Sequence, residues 1–551
     1  MIGSLLQALF VCGTAFVLWK YFRQHVIKTD LDKLNGPPPE SFLLGNLRQL
    51  RAKQEWDFHL DIGKKYGRVA RLHGFLGSNL LYVHDPKAMH HIAVKEPYIF
   101  EETEWFLSAT KRQFGMGLFS SVGDHHRKQR KMLNPVFSVA HLREMMPNFY
   151  KVVHSLREAI EMRTKDGSAE VDMVMWMGRT ALELVGQAGL GYSFDPLTED
   201  KADPLGEAVK NLVPAAAGLG ALATLLPLVE KIVPEPLMVP LGKLVPIPAL
   251  HRMMRDTRTI KDKSLEIFEA KKAALAKGDE EMKLQIGEGH DIMSVLLKAN
   301  MASAEADRLP DDELVAQIGV LVFAAMDTTS NALSLTLWRL AQNKDVQARV
   351  RQEILDAQNG SDIGYDDLIS LPLLDAVCRE TLRLHPPAPL RFREARKDAM
   401  LPLSKPVRTV DGKEIHEILV PKGTNVYVCI GASNTDKDLW GPDAEEWKPQ
   451  RWLAPLPGEV TDARIPGVYA NSFVLRRRLR VMTFWAGARA CIGFKFSQLE
   501  MKVVLAVLLS TFEFDLSDKQ VYWNVAPVVY PSVLPSGLDP AMPMKVTLLK
   551  K

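Results

Sequence analysis

The run Phe484-Trp485-Ala486-Gly487-Ala488-Arg489-Ala490-Cys491-Ile492-Gly493 leaves the chain little freedom in what it can build there. A lone cysteine is usually an inert, buried small hydrophobe. These neighbours argue otherwise. Gly487 and Gly493 let the backbone approach a flat ligand or take a positive φ, Arg489 offers a cation to an anionic group, and the apolar run from Leu499 to Leu509 reads as a buried helix. A thiolate just before a helix N-terminus is electrostatically favoured, so the stretch suits a soft anionic ligand to iron.

The rest of the chain sets bounds on that reading. Its 551 residues can bury a large core, and 47% hydrophobic with 25% charged residues describes a globular chain, not a polytopic membrane bundle. A net charge of +3 predicts no nucleic-acid partner, and any partner attracted by charge must be met by a local patch. Cys12, Cys378, Cys429 and Cys491 are far apart, which suggests neither a disulfide framework nor a zinc cluster and fits a reducing compartment. Cys378 and Cys429 sit among apolar neighbours and read as core.

In chain order, Ile2 to Trp19 carries no charge and as a helix would span about 27 Å, enough for a thin bilayer. Lys20, Arg23 and Lys28 follow it, so the positive-inside rule leaves the remainder in the cytosol. The competing reading, a cleaved signal peptide, lacks a basic leading region and a clear small-residue cleavage site. Gly36-Pro37-Pro38-Pro39 is a stiff spacer, and Val69 to His73 with Leu80 to Val83 reads as a hairpin.

Gly123 to Lys131 is a basic run that leads into an apolar-periodic helix stopping before Pro135. Asn211 to Val229 is uncharged but broken by Pro214, Gly218, Gly220 and Pro227, so it is read either as a membrane-dipping segment or as ordinary core. Lys272 to Asn300 reads as solvated helix and loop. After Asp311-Asp312-Glu313 a helix of about 30 residues, roughly 45 Å, is apolar on nearly all sides and therefore buried. Within it Asp327, Thr328 and Thr329 are costly to bury; one account is a hydroxyl bonding back one turn, the other is chemistry. Pro372 opens a helix ending at Leu384, Asp411-Gly412 turns a hairpin, and Thr424 to Ile430 reads as a buried strand.

The cysteine run has the Phe-x-x-Gly-x-Arg-x-Cys-x-Gly pattern of the cytochrome P450 haem loop, and the chain resembles that family, in particular its membrane-anchored members from fungal secondary metabolism. Glu380-Thr381-Leu382-Arg383 followed by His385-Pro386-Pro387, and Trp447 to Trp452 around Arg451, match further motifs in the family's order. The resemblance implies a mainly α cytochrome P450 fold, a haem-thiolate helical domain with small β-sheets over 41–551, behind a transmembrane anchor over 1–22 and a basic, proline-rich hinge over 23–40.

It also implies site roles. Cys491 would be the axial thiolate of haem b, with Phe484, Gly487 and Gly493 shaping the loop. Arg130, Arg393 and Arg489 would hold the propionates, with His126 standing where the family has tryptophan. Asp327 and Thr328 would relay protons to dioxygen, with Ala325 where a glycine is common, and Ala324, Ala388, Pro389 and Leu390 would line the substrate pocket. Glu380, Arg383 and Arg451 would form a structural triad beneath the haem. Residues 211–248 would correspond roughly to the lid over the substrate entrance, and Arg127, Lys128 and Lys131 would either dock an acidic redox partner or form a solvated face. Ser472 to Val481 looks like an insertion, read as a reductase-docking feature, a tolerated insertion or an error in the assigned coding sequence.

The activity so implied is monooxygenation of a lipophilic small molecule, by hydroxylation, epoxidation or successive oxidation, in terpenoid or other secondary metabolism at the endoplasmic reticulum membrane. Electrons would come from NADPH through a separate flavoprotein reductase, since no nucleotide fingerprint is present. Two rival readings are a reductase-independent haem-thiolate isomerase or dehydratase and a non-catalytic haem-binding protein.

Overall fold

A helix that is apolar all round has to be wrapped, and the architecture follows from that need. The computed structural model describes residues 28–550 other than 51, 53–55, 196, 199–202, 279–285, 287–288, 464, 468–480 and 535–538, together with 11, 13–15 and 19. Its central helix, Asp311–Gln342, begins on three acids that oppose the positive end of the helix dipole. Leu314, Ile318, Val322 and Met326 in its first half join a core with Phe268 of Pro248–Lys277 and Leu212 of Pro204–Leu219. Leu333, Leu337 and Leu340 in its second half join a larger core with Phe149 of Val139–Thr164, Val377 of Pro372–Leu384 and Leu505 of Phe494–Thr511. One helix therefore ties the two cores together.

Among the described residues, the helical stretch long and apolar enough to cross a membrane is Glu305–Gln342, and 72% of its apolar part is buried inside the fold, so it is a core helix. The expected N-terminal anchor falls mostly on residues outside those described, and so does the basic segment 472–480.

Among the described residues the strands form one five-stranded sheet and three smaller ones. The main sheet runs in the order Val69–His73, Asn79–Val83, Asn425–Cys429, Leu390–Ala395, Phe100–Glu101. The first pair is the expected hairpin, with Leu72 opposite Leu80. Asn425–Cys429 pairs parallel to the second strand and antiparallel to Leu390–Ala395, which sets Arg393 opposite Val426. Cys378 and Cys429 are buried as expected. The Asp411-Gly412 turn also forms, with Gly412 at φ +80° between Ala399–Arg408 and Glu414–Val420.

Two expectations about the lid side need revision. Pro214 and Gly218 lie inside the helix Pro204–Leu219, and the segment 211–229 changes character only at the 3-10 stretch Gly220–Leu225 before the helix Leu226–Ile232; Leu212 is buried, whereas Leu222, Leu225 and Leu228 are exposed, as are Ile232 and Leu244 beyond the segment. Nor is 272–300 solvated throughout. Ile292–Ala302 is a helix with Met293, Leu296 and Leu297 buried, and Asp291 at its N-cap makes a buried ion pair with Lys271 at 2.8 Å. The charged flanks masked an amphipathic helix.

Glu380, Arg383 and Arg451 meet as expected, in a hub with further members. Glu380 accepts two hydrogen bonds from Arg383, both 2.8 Å, and others from Trp452 Nε1 at 2.9 Å and the Lys448 backbone N–H at 3.0 Å, with Arg451 Nε at 3.4 Å. The Glu380 and Arg383 side chains are both 0% exposed. A charge so placed is tolerated only when every lone pair and donor is met. Glu380→Ala leaves Arg383 buried without its counter-charge, so it should lower unfolding free energy by about 3–5 kcal/mol. Chemical denaturation of the variant checks this; a loss below about 1 kcal/mol, the value of an exposed pair, contradicts it.

Candidate haem-thiolate site

The cysteine loop is closed by its own backbone. Met482–Phe484 and Gly487–Arg489 are single 3-10 turns, and the Cys491 N–H donates to the Phe484 carbonyl at 2.9 Å. Gly493 caps the proximal helix Phe494–Thr511. Thr483 fastens the loop to the buried hub, its hydroxyl donating to the Leu382 carbonyl at 2.8 Å and accepting from Asn434 Nδ2 at 3.2 Å.

The two loop glycines differ in purpose. Gly487 has φ +65°, and an added Cβ would lie 2.0 Å from the Ala93 carbonyl oxygen, so glycine there is demanded by another stretch of backbone. It does not line the cavity, contrary to a ligand-approach role. Gly493 does line it, at an ordinary φ of −88°, with Phe137 3.8 Å from where a Cβ would stand. Trp485 is a surprise of another kind: it takes φ +58°, costly for a tryptophan, and is buried beneath Arg393, whose guanidinium carbon lies 4.5 Å from the ring centre.

Cys491 opens onto a cavity of about 1390 Å³ whose walls are mostly apolar. Protein surrounds the thiol on its other sides, and that burial pushes its pKa up, against the Gly493 N–H and the charges of Arg391 and Arg130. The central helix supplies another wall through Ala324, Ala325, Thr328 and Thr329. Ala388 and Leu390 line the cavity as expected; Pro389 does not, and its carbonyl instead accepts from the Ile430 N–H at 2.8 Å.

One part of the cavity is cationic, with Arg130, Arg393, Arg489 and His126 all among its lining residues. Arg130 Nη1 donates to the Ala490 carbonyl at 2.5 Å, tying the basic helix Gly123–Leu133 to the cysteine loop. Burial, with Arg489 and Arg130 nearby, pushes the His126 pKa down to about 3, so its imidazole is neutral and keeps one N–H to donate. A soft thiolate, guanidiniums at one edge and small residues on the neighbouring wall suit a flat, iron-containing, dicarboxylate group.

The polar residues of the central helix separate. Thr328 lines the cavity, and its hydroxyl donates back to the Ala324 carbonyl at 2.7 Å, which leaves its lone pairs for other donors. Asp327 is not among the lining residues. Burial raises its pKa to about 6, with Lys210 on Pro204–Leu219 pulling the other way.

Sequence reasoning missed Glu101 and Glu102, which pair with Arg489 and Arg393, and the aromatic wall of Trp105, Phe106 and Phe119. Their one visible signal was the acidic run 101–104 beside an aromatic pair.

The cytochrome P450 family model matches residues 36–527. A cytochrome P450 monooxygenase of Postia placenta is 51% identical, covering 99% of both chains. A ganoderic acid synthetase of Ganoderma lucidum is 45% identical, covering 100% of both. The crystal structure of a cytochrome P450 superposes with a TM-score of 0.69 at 21% identity, covering 94% of this chain and 100% of the other. The chain therefore belongs to the cytochrome P450 family and is a haem-thiolate monooxygenase, which takes electrons from NADPH through a reductase and inserts one oxygen atom of O2 into a lipophilic molecule.

Proposed function

We propose that this monooxygenase oxidises a terpenoid or comparably lipophilic secondary metabolite, and that Cys491 is the residue that would hold the iron of haem b. The carrying observation is that Cys491, Thr328, His126 and the three arginines line one largely apolar cavity. Bound there, haem b supplies dioxygen activation, helped by electron density from the thiolate. Arg130, Arg393, Arg489 and the neutral His126 hold its carboxylates, while Phe484 and Gly493 shape the loop. Ala324, Ala388 and Leu390 orient the substrate; Pro389 positions the strand beside them. The likeness to a ganoderic acid synthetase supports the terpenoid class.

Thr328 lines the cavity, and Asp327, its neighbour in sequence, holds a proton below pH about 6. Together they conduct protons inward. Glu380, Arg383 and Arg451 keep the loop in place without touching substrate.

Residues 1–22 anchor the chain in the endoplasmic reticulum membrane, 23–40 form the hinge and 41–551 lie in the cytosol. The exposed apolar side chains from Leu222 to Val245 support a lid resting on the bilayer, which admits substrate from lipid. Arg127 and Lys131, both exposed, are suited to docking the reductase, whereas Lys128 is engaged with the Ala306 and Arg308 carbonyls.

Incubating the membrane-bound protein with reductase, NADPH and candidate terpenoids should give products heavier by one oxygen, with oxygen uptake matching product; uptake with no such product from any lipophile argues against the substrate class. Cys491→Ala should abolish the reduced carbon-monoxide absorption of a thiolate-ligated haem, and its persistence would refute the ligand assignment. Thr328→Ala should divert NADPH into peroxide, measured as the ratio of product to NADPH consumed. For Asp327 the folded pKa of about 6 exceeds the ordinary 3.8, so the folded state binds the extra proton between these values and stability falls as pH rises through them. Asp327→Asn should remove that fall from the pH dependence of Tm; an unchanged profile speaks against a buried Asp327.

A further inference from the structure

Phe100–Glu101 is the edge strand of the main sheet, with Phe100 opposite Ala395 and Glu101 opposite Glu394. This pairing delivers two consecutive carboxylates to the cationic part of the cavity. Glu101 Oε1 accepts from Arg489 Nε at 2.9 Å and Nη2 at 2.6 Å, and Glu102 Oε2 accepts from Arg393 Nη1 at 2.7 Å. The side chains are 7% and 17% exposed, and those of their arginines 9% and 3%. Glu102 itself lines the cavity.

The arginines do not depend on these acids alone. Arg489 also donates to the Ser121 carbonyl at 2.8 Å, and Arg393 to the Phe392 carbonyl at 2.7 Å while lying on the Trp485 ring. Ionised carboxylates in so enclosed a place are expensive, and beside a ligand with acidic groups of its own they compete for the same cations. Their net effect is electrostatic: two of the three guanidinium charges are answered by protein before any ligand carboxylate arrives. The surroundings of a haem iron bound there would thereby be less positive, which would favour its oxidised form.

We propose that Glu101 and Glu102 are positioning residues that clamp Arg489 and Arg393 and hold the reduction potential of the bound haem iron below the value the arginines alone would give. The inference rests on Arg393 and Arg489 flanking the haem carboxylates; ligation by Cys491 is read separately, from the reduced carbon-monoxide spectrum.

The test is a spectroelectrochemical titration of haem-loaded Glu101→Gln, Glu102→Gln and Glu102→Asp protein. Glutamine keeps an acceptor oxygen for the guanidinium and removes the charge. Both glutamine variants should therefore show the thiolate carbon-monoxide band and a midpoint potential shifted to more positive values, with Glu102→Asp returning to the wild-type value. Glutamine variants that keep the band but titrate at the wild-type potential, or shift negative, overturn the proposal. Should Glu101→Gln lose haem, Glu102→Gln decides, because Arg393 retains its carbonyl and ring contacts. Loss of haem from both would also overturn it, since the acids would then be serving the fold alone.

Discussion

The Glu380 carboxylate is the point from which the position of the reactive sulfur is ultimately set. It fixes Arg383, whose Nη1 donates to the carbonyls of Asn434 at 2.6 Å and Ala444 at 2.7 Å. Asn434 in turn reaches Thr483, the residue at the entrance of the cysteine loop. A helix, a long irregular segment and the loop are thus registered against one another by charge-assisted hydrogen bonds in a dry interior. Such bonds are directional, whereas apolar packing would permit sliding, so the network specifies one arrangement even though Asn434 Oδ1 is buried without a partner.

The central helix is the complementary constraint. Its first half packs mostly in one core and its second half in the other, and the cavity is lined by members of both, Phe137 and Leu321 from the larger and Leu212 from the smaller. Ala324 and Ala325 leave that space open, and Thr328 lends it a hydroxyl while satisfying its own donor within the helix. The strand Leu390–Ala395 supplies both Leu390 to the apolar wall and Arg393 to the cationic edge, so pocket shape and the grip on the cofactor are coupled there.

Much of this was legible because local chemistry was enough to decide it. Pro372, the acids from Asp311 and the Asp411-Gly412 turn each marked an element boundary that forms where expected. The cysteine loop and the Glu380 motif were legible through fixed spacing. What stayed hidden depended on partners far away in sequence. Glu101 lies 388 residues from Arg489, and nothing in either neighbourhood announces the other. Ile292–Ala302 was masked by charged flanks, one of whose acids turned out to cap it and to pair with Lys271 inside the fold. Pro389 was assigned to the pocket by its neighbours, yet its side chain is not part of the lining while those on either side are.

Gly487 carries a broader consequence. The loop bearing the cysteine is moulded by the carbonyl of Ala93, nearly 400 residues earlier in the chain. Loop and template are a matched pair, like a casting and its mould. Grafting the loop of one relative onto another would preserve the ligand pattern and still fail wherever the stretch around residue 93 runs a few tenths of an ångström closer. Chimeras built on this scaffold are better cut so that both pieces travel together.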